Sequence, residues 1–171
     1  MLEFTQLTED MMKNLEGLFE HFLKDIYYAE QQIHKSLPKM AEKADSSDLR
    51  DAFEHHRTET EEQIENLKKV FEKCGIKLEG EKCEAIEGIL EEGEEIMDEA
   101  EDGDTRDAGM IAAAQAVEHY EITRYGTLVS WAKQLGKDDC AQLLQKNLDQ
   151  EYSADEKLNK LAETRLNKQA A

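Results

Sequence analysis

The stretch LLQKNLDQEYSADEKL, residues 143–158, reads as a helix with two acids set into its apolar stripe. Leu144, Leu148, Leu158 and Ala162 recur at the three- and four-residue spacing of a single helix face. Glu151 and Asp155 stand on that same face, where a heptad takes apolar side chains. Three other stretches repeat the pattern. One face reads Ile111, Ala114, Glu118, Glu121, Tyr125, Leu128, Ala132; Ile26, Ala29 and Ile33 flank Glu30; and Glu59 lies between His56 and Gln63 on a face that includes Leu49, Phe53, Leu67 and Val70.

These faces predict an all-α protein with four long helices. The first covers roughly Asn14 to Ala44, with Pro38 inside it; the missing N–H there predicts a bend rather than an end. Asp45, Ser46 and Ser47 carry turn and N-cap chemistry for a second helix running to about Lys73, with Gly75 as its stop. Residues 76–103 form a long crossover containing a shorter helix, on which Cys83, Ile86, Ile89, Leu90, Ile96 and Met97 share a face. Asp104 or Thr105 would cap the third long helix, ending at Leu135, and Asp138 the fourth, ending near Asn167. Two helical hairpins joined by one long connection is the connectivity of a ferritin-like four-helix bundle. We read residues 1–171 as a single domain, with 1–13 as an N-terminal extension. The hairpins also match as a weak duplication: Glu30 to Glu59 spans 29 residues and Glu121 to Glu151 spans 30, with Leu37 and Leu128 each seven residues after their Glu.

A formal charge of −19 repels phosphate backbones and anionic lipid, so nucleic-acid and membrane-surface partners are excluded from the expected functions and cations favoured. Residues 79–107 alone hold fourteen Asp or Glu against Lys82 and Arg106, chiefly as a solvated face. No segment reads as a membrane span or a signal peptide, which predicts a cytoplasmic protein. Cys74, Cys83 and Cys140, an odd number without CxxC spacing, read as reduced, buried thiols. There is no phosphate loop, nucleophile elbow or HExxH motif.

Whether the inner acids can meet follows from counting. Glu30 precedes the first turn by about 15 residues and Glu59 follows it by about 14; Glu121 precedes the second by about 16 and Glu151 follows by about 14. At about 1.5 Å per residue the mismatch in each hairpin is at most about 3 Å, within the reach of a glutamate. Four carboxylates gathered in a low-dielectric core cost several kcal/mol each unless protonated or bound to a cation, and a divalent metal resolves that conflict. Oxygen-rich sites suit Mg, Ca, Mn and iron, and this architecture favours iron or manganese. The competing reading puts each acid at the edge of its stripe, facing solvent. His56 and His119 lie next to the acids as ligands, outer partners or ordinary side chains, whereas His21, His34 and His55 read as surface. Tyr27, Tyr120, Tyr125 and Trp131 read as packing aromatics, although a tyrosine hydroxyl near a redox metal could orient a ligand.

The segments DIYYAEQQ (25–32), LPKMA (37–41), CEAIEGIL (83–90), RDAGMIAAAQAVEHYEITRYGTL (106–128) and LLQKNLDQEYSADEKL (143–158) closely resemble the YciE/YciF family of bacterial ferritin-like stress proteins, over about residues 15–165. The resemblance implies a ferritin-like bundle, a homodimer, and an association with the stress response. Ferritins and rubrerythrins build a di-iron carboxylate site from a Glu on each of two helices and an ExxH pair on each of the other two. Glu30 and Glu121 match the single glutamates, and Glu118 the extra carboxylate of rubrerythrins. The ExxH histidines are missing: Glu62 and Gln63 follow Glu59, and Ala154 and Asp155 follow Glu151. That departure leaves a carboxylate-dominated site of one or two ions. The expected metal ligands are therefore Glu30, Glu59, Glu118, Glu121, Glu151 and Asp155, with His56 and Gln63 auxiliary. Iron handling, or peroxide and oxygen redox chemistry, follows by analogy. The alternative is a non-enzymatic structural or interaction protein without a functional metal.

Overall fold

Helix formation begins at Asn14, whose side chain accepts the Gly17 N–H at 2.9 Å and satisfies one orphan donor of the first turn. The computed structural model describes residues 12–171, so residues 1–11 of the expected extension lie outside the described residues. α1 spans Leu15–Lys43 and continues through Pro38 as a helix, since Leu37, Met40 and Ala41 around it are held in the core. Ser46 caps α2 (Ser47–Cys74) by accepting the Leu49 N–H. Gly75 ends α2 with φ 64°, a left-handed conformation that glycine takes without steric conflict. The crossover carries α3 (Glu84–Glu99), and α4 (Gly103–Gln134) and α5 (Asp138–Leu161) complete the second hairpin. A π-helical turn (Ala162–Leu166) and a short α6 (Asn167–Ala170) follow.

Three expected boundaries are corrected. Asp102, not Asp104 or Thr105, caps α4: its carboxylate accepts the Thr105 N–H at 2.9 Å, and its carbonyl accepts Arg106 N–H. Lys137 rather than Asp138 is the N-cap residue of α5, because its carbonyl already accepts the Ala141 N–H at 2.9 Å. Asp138 and Asp139 instead sit in the first turn, where negative charge favours the helix dipole. The fourth long helix does not reach Asn167 in α geometry. Thr164 Oγ donates to the Lys160 carbonyl at 2.6 Å, occupying the acceptor that the Thr164 N–H would use, and the backbone widens there.

The result is a ferritin-like four-helix bundle in which α1 pairs with α2, α4 with α5, and α2 with α5, while α3 lies across α4 and α1. No strand occurs among the described residues. α3 approaches closely at Gly109, where an added Cβ would stand 2.5 Å from Ile96 Cγ2. The turn of the first hairpin is held by α4: the buried Asp107 carboxylate accepts N–H groups from Asp45 at 2.9 Å and Ser46 at 2.7 Å. Phe19, Leu23, Ile26, Leu49, Leu67, Val70, Met110, Leu128 and Leu144 are completely buried around this frame. Burying each such side chain contributes roughly 1.5–3 kcal/mol.

Candidate metal centre

At mid-height the apolar core gives way to polar side chains drawn from all four long helices. Glu30 (α1), Gln63 (α2), Glu121 (α4) and Asn147 and Glu151 (α5) are wholly buried, and Glu118 and His56 nearly so. His56, Glu118, Glu121 and Glu151 each offer a ligand atom, and those atoms lie within 4.8 Å of one another. The helical spacing makes this possible: Glu118 and Glu121 project together from α4, while α2 and α5 bring His56 and Glu151 to the same level.

Many of the polar atoms here make no hydrogen bond. Both Glu121 oxygens, Oε2 of Glu30, Glu118 and Glu151, Oε1 of Gln63 and both His56 nitrogens are buried without a hydrogen bond. Groups left in that condition cost about 1–3 kcal/mol each, more if charged. The bonds that do exist tie the cluster into the bundle. Tyr125 donates its hydroxyl to Glu30, and Gln63 donates its amide to Glu151. Asn147 Nδ2 donates to the Tyr125 oxygen at 3.1 Å and the Gln63 carbonyl at 3.2 Å, and Asn66 Nδ2 donates to Asn147 Oδ1 at 2.9 Å. His56 Nε2 faces Glu118 at 3.2 Å and Glu151 at 4.0 Å, while Nδ1 faces Glu59 at 3.6 Å.

The electrostatics follow from crowding acids in a dry interior. Burial, and then the Glu151 carboxylate, push Glu30 up to about 8 despite the Tyr125 hydroxyl. Glu118 and Glu121 rise well above the carboxylate range, through burial first and their neighbouring carboxylates second. Burial opposes a charged His56, but its contact with Glu59 and the fields of Glu151 and Glu30 prevail and raise it. Burial likewise opposes a charged Glu59, yet His56 and His55 hold its carboxyl below the usual value.

Of the expected ligands, Glu118, Glu121 and Glu151 come together with His56, and Glu30 and Gln63 border them. Glu59 stands at the rim, between His55 at 3.1 Å and His56, with Lys157 at 4.0 Å. Asp155 lies apart, accepting from Gln115 Nε2 at 3.1 Å and facing the exposed His119 at 3.1 Å. Tyr120 also turns away, donating to Asp25 at 2.6 Å and meeting Cys83 at 3.0 Å. Tyr27 packs edge-on against Phe71 and Trp131 against Phe22. Asn147 was not among the expected site residues; its signal is four-residue spacing from Glu151, which puts a polar side chain on the same inner row.

The donor set suits a cation. Carboxylate oxygens with one imidazole nitrogen are ordinary ligands for manganese and iron. Bond lengths of about 2.1 Å let one ion span ligand pairs up to about 4.2 Å apart, close to the size of this cluster.

A four-helix bundle with buried carboxylates and a histidine at its centre defines a ferritin-like class of protein. Within it, the chain belongs to the DUF892 family, described as a domain of unknown function, whose model matches residues 14–171. The protein YciF of Escherichia coli strain K12 is 44% identical over 160 residues, covering 93% of this chain and 96% of that protein. The crystal structure of YciF, described as a stress protein, superposes with a TM-score of 0.88 over 92% of this chain and 99% of that one. YcfI of Rhodopseudomonas palustris, provisionally classed as a structural protein, is 50% identical with a TM-score of 0.85 over 86% of this chain and 94% of that one.

Proposed function

We propose that the protein binds one or two iron or manganese ions between its four long helices, with His56, Glu118, Glu121 and Glu151 as ligands and Glu30 and Gln63 beside them. One observation carries this reading: six oxygens, from Glu30, Gln63, Glu118, Glu121 and Glu151, are buried around the His56 imidazole without hydrogen-bond partners. A divalent cation would satisfy them together, whereas protonation neutralises one carboxylate at a time. Glu59 would orient His56 through Nδ1, as carboxylates commonly do for ligating histidines. Such a metal would supply redox chemistry toward peroxide or dioxygen, or a holding site for iron. The likeness to YciF, described as a stress protein, supports a setting in the stress response, and a cytoplasmic homodimer is proposed from the sequence and its family resemblance alone. Among the described residues, no helix is long and apolar enough to cross a membrane.

A second reading, a structural protein without metal, is favoured by the raised values of Glu30, Glu118 and Glu121, which let the cluster persist with its carboxyls protonated. YcfI is provisionally described as a structural protein. Metal analysis of protein purified without chelator or affinity tag separates the two. About one or two iron or manganese per chain, lost in Glu121→Ala and kept in the exposed Glu95→Ala, is the expected result. Equal metal content in both variants would sink the assignment.

A further inference from the structure

About three helical turns from the acidic cluster, along the same two helices, two cysteines meet. Cys74 is the last residue of α2 and Cys140 the third of α5, and their sulfurs are 3.3 Å apart although 66 residues separate them. Both are free thiols. We propose that Cys74 and Cys140 form an oxidisable dithiol, a modification site at which peroxide converts the contact between α2 and α5 into a covalent bond.

Three observations support it. A disulfide needs its sulfurs at about 2.05 Å, so the pair must close by little more than 1 Å, within the reach of side-chain rotation. Cys74 is only half-buried and, together with the more deeply buried Cys140, lines a surface cleft bordered by Lys73, Gly136, Lys137 and Asp138, which admits a small oxidant. The third cysteine, Cys83, is elsewhere: it caps α3 and contacts Tyr120, which makes it an internal control.

The chemistry balances with peroxide as oxidant. Cys74 loses its proton and its thiolate attacks one peroxide oxygen; the O–O bond breaks to give Cys74–SOH and hydroxide, which takes up the lost proton as water. The Cys140 sulfur then displaces the hydroxyl from Cys74–SOH, forming the S–S bond and a second water. Two sulfurs lose two electrons in all, and both thiol protons leave in water. Burial, and then the adjacent Cys140, push the Cys74 thiol up to about 12, so Cys74 rests protonated and reaction should quicken with pH. Closing so long a loop restricts the unfolded chain and clamps together the two helices that carry His56, Gln63 and Glu151.

The test treats the full chain with hydrogen peroxide, alkylates remaining thiols in denaturant and maps peptides by mass spectrometry. The expected result is loss of two thiols per chain, a linked peptide joining Cys74 to Cys140, and an alkylated Cys83. Oxidised protein should melt roughly 5–15 °C above the reduced form, a shift reversed by dithiothreitol and absent in Cys140→Ser. If that variant does not fold, the linked peptide and the reversible shift of the unsubstituted chain decide. Failure of the linked peptide to form in folded protein, or preferential pairing through Cys83 or between chains, would overturn the proposal.

Discussion

The Tyr125 hydroxyl donates to the Glu30 carboxylate across the centre of the bundle, binding α4 to α1 where both side chains are completely enclosed. The same oxygen accepts from Asn147 at 3.1 Å, so one phenol joins α1, α4 and α5. Replacing it removes a donor and an acceptor together. Tyr125→Phe should lower unfolding free energy by about 1–3 kcal/mol in urea titration, since Glu30 and Asn147 each lose a partner inside the core. An unchanged midpoint would show that this hydrogen-bonded chain does not stabilise the fold.

Stability of the metal-free protein should fall as pH rises. Glu30 goes from an ordinary 4.5 to about 8 on folding, and Glu118, Glu121 and His56 shift upward too. A group whose value is raised by folding holds its proton better in the native state. Its stabilisation is full below the unfolded value and is lost as pH climbs through the folded one. Chelator-treated protein should therefore lose stability between about pH 4.5 and 8 in denaturant titrations. Glu30→Gln, which mimics the protonated acid, should flatten that decline.

With iron or manganese present the slope should reverse, because ligation displaces protons from the carboxyls and affinity grows with pH. Protein at about 100 times the dissociation constant of the metal should melt roughly 5–10 °C above chelated protein. Glu59→Ala, which frees the ring of His56, should weaken binding by about 10–100-fold in competition with a chelating dye. Unaltered affinity in Glu59→Ala would remove Glu59 from any role in holding the histidine.

Asp107 offers a test of the frame rather than of its centre. Its carboxylate accepts from both Asp45 and Ser46, at the turn that sets the register of α1 against α2. Asp107→Ala should cost about 2–4 kcal/mol, and Asp107→Asn less, because the amide keeps one acceptor. Equal stability of the two variants would mean that solvent replaces the carboxylate at that turn.

The architecture was legible because local chemistry repeats it. Apolar periods mark each helix, Asn14, Ser46 and Gly75 mark ends, and the length of residues 76–103 separates two hairpins. Counting from the turns also brings the inner glutamates to similar heights, since helical rise is uniform. Height alone does not give rotation about the helix axis. Glu151 and Asp155 are four residues apart on one stripe, yet packing against α2 and α4 encloses the first and leaves the second at the edge with Gln115 and His119. Glu59 and His56, three apart, divide in the opposite sense, with the histidine inside and the acid at the rim. Cys74 and Cys140 meet only because α2 ends where α5 begins in space. A sequence fixes the order and pitch of its helices through local bonding, but which side of a stripe faces the centre depends on neighbours supplied from far along the chain.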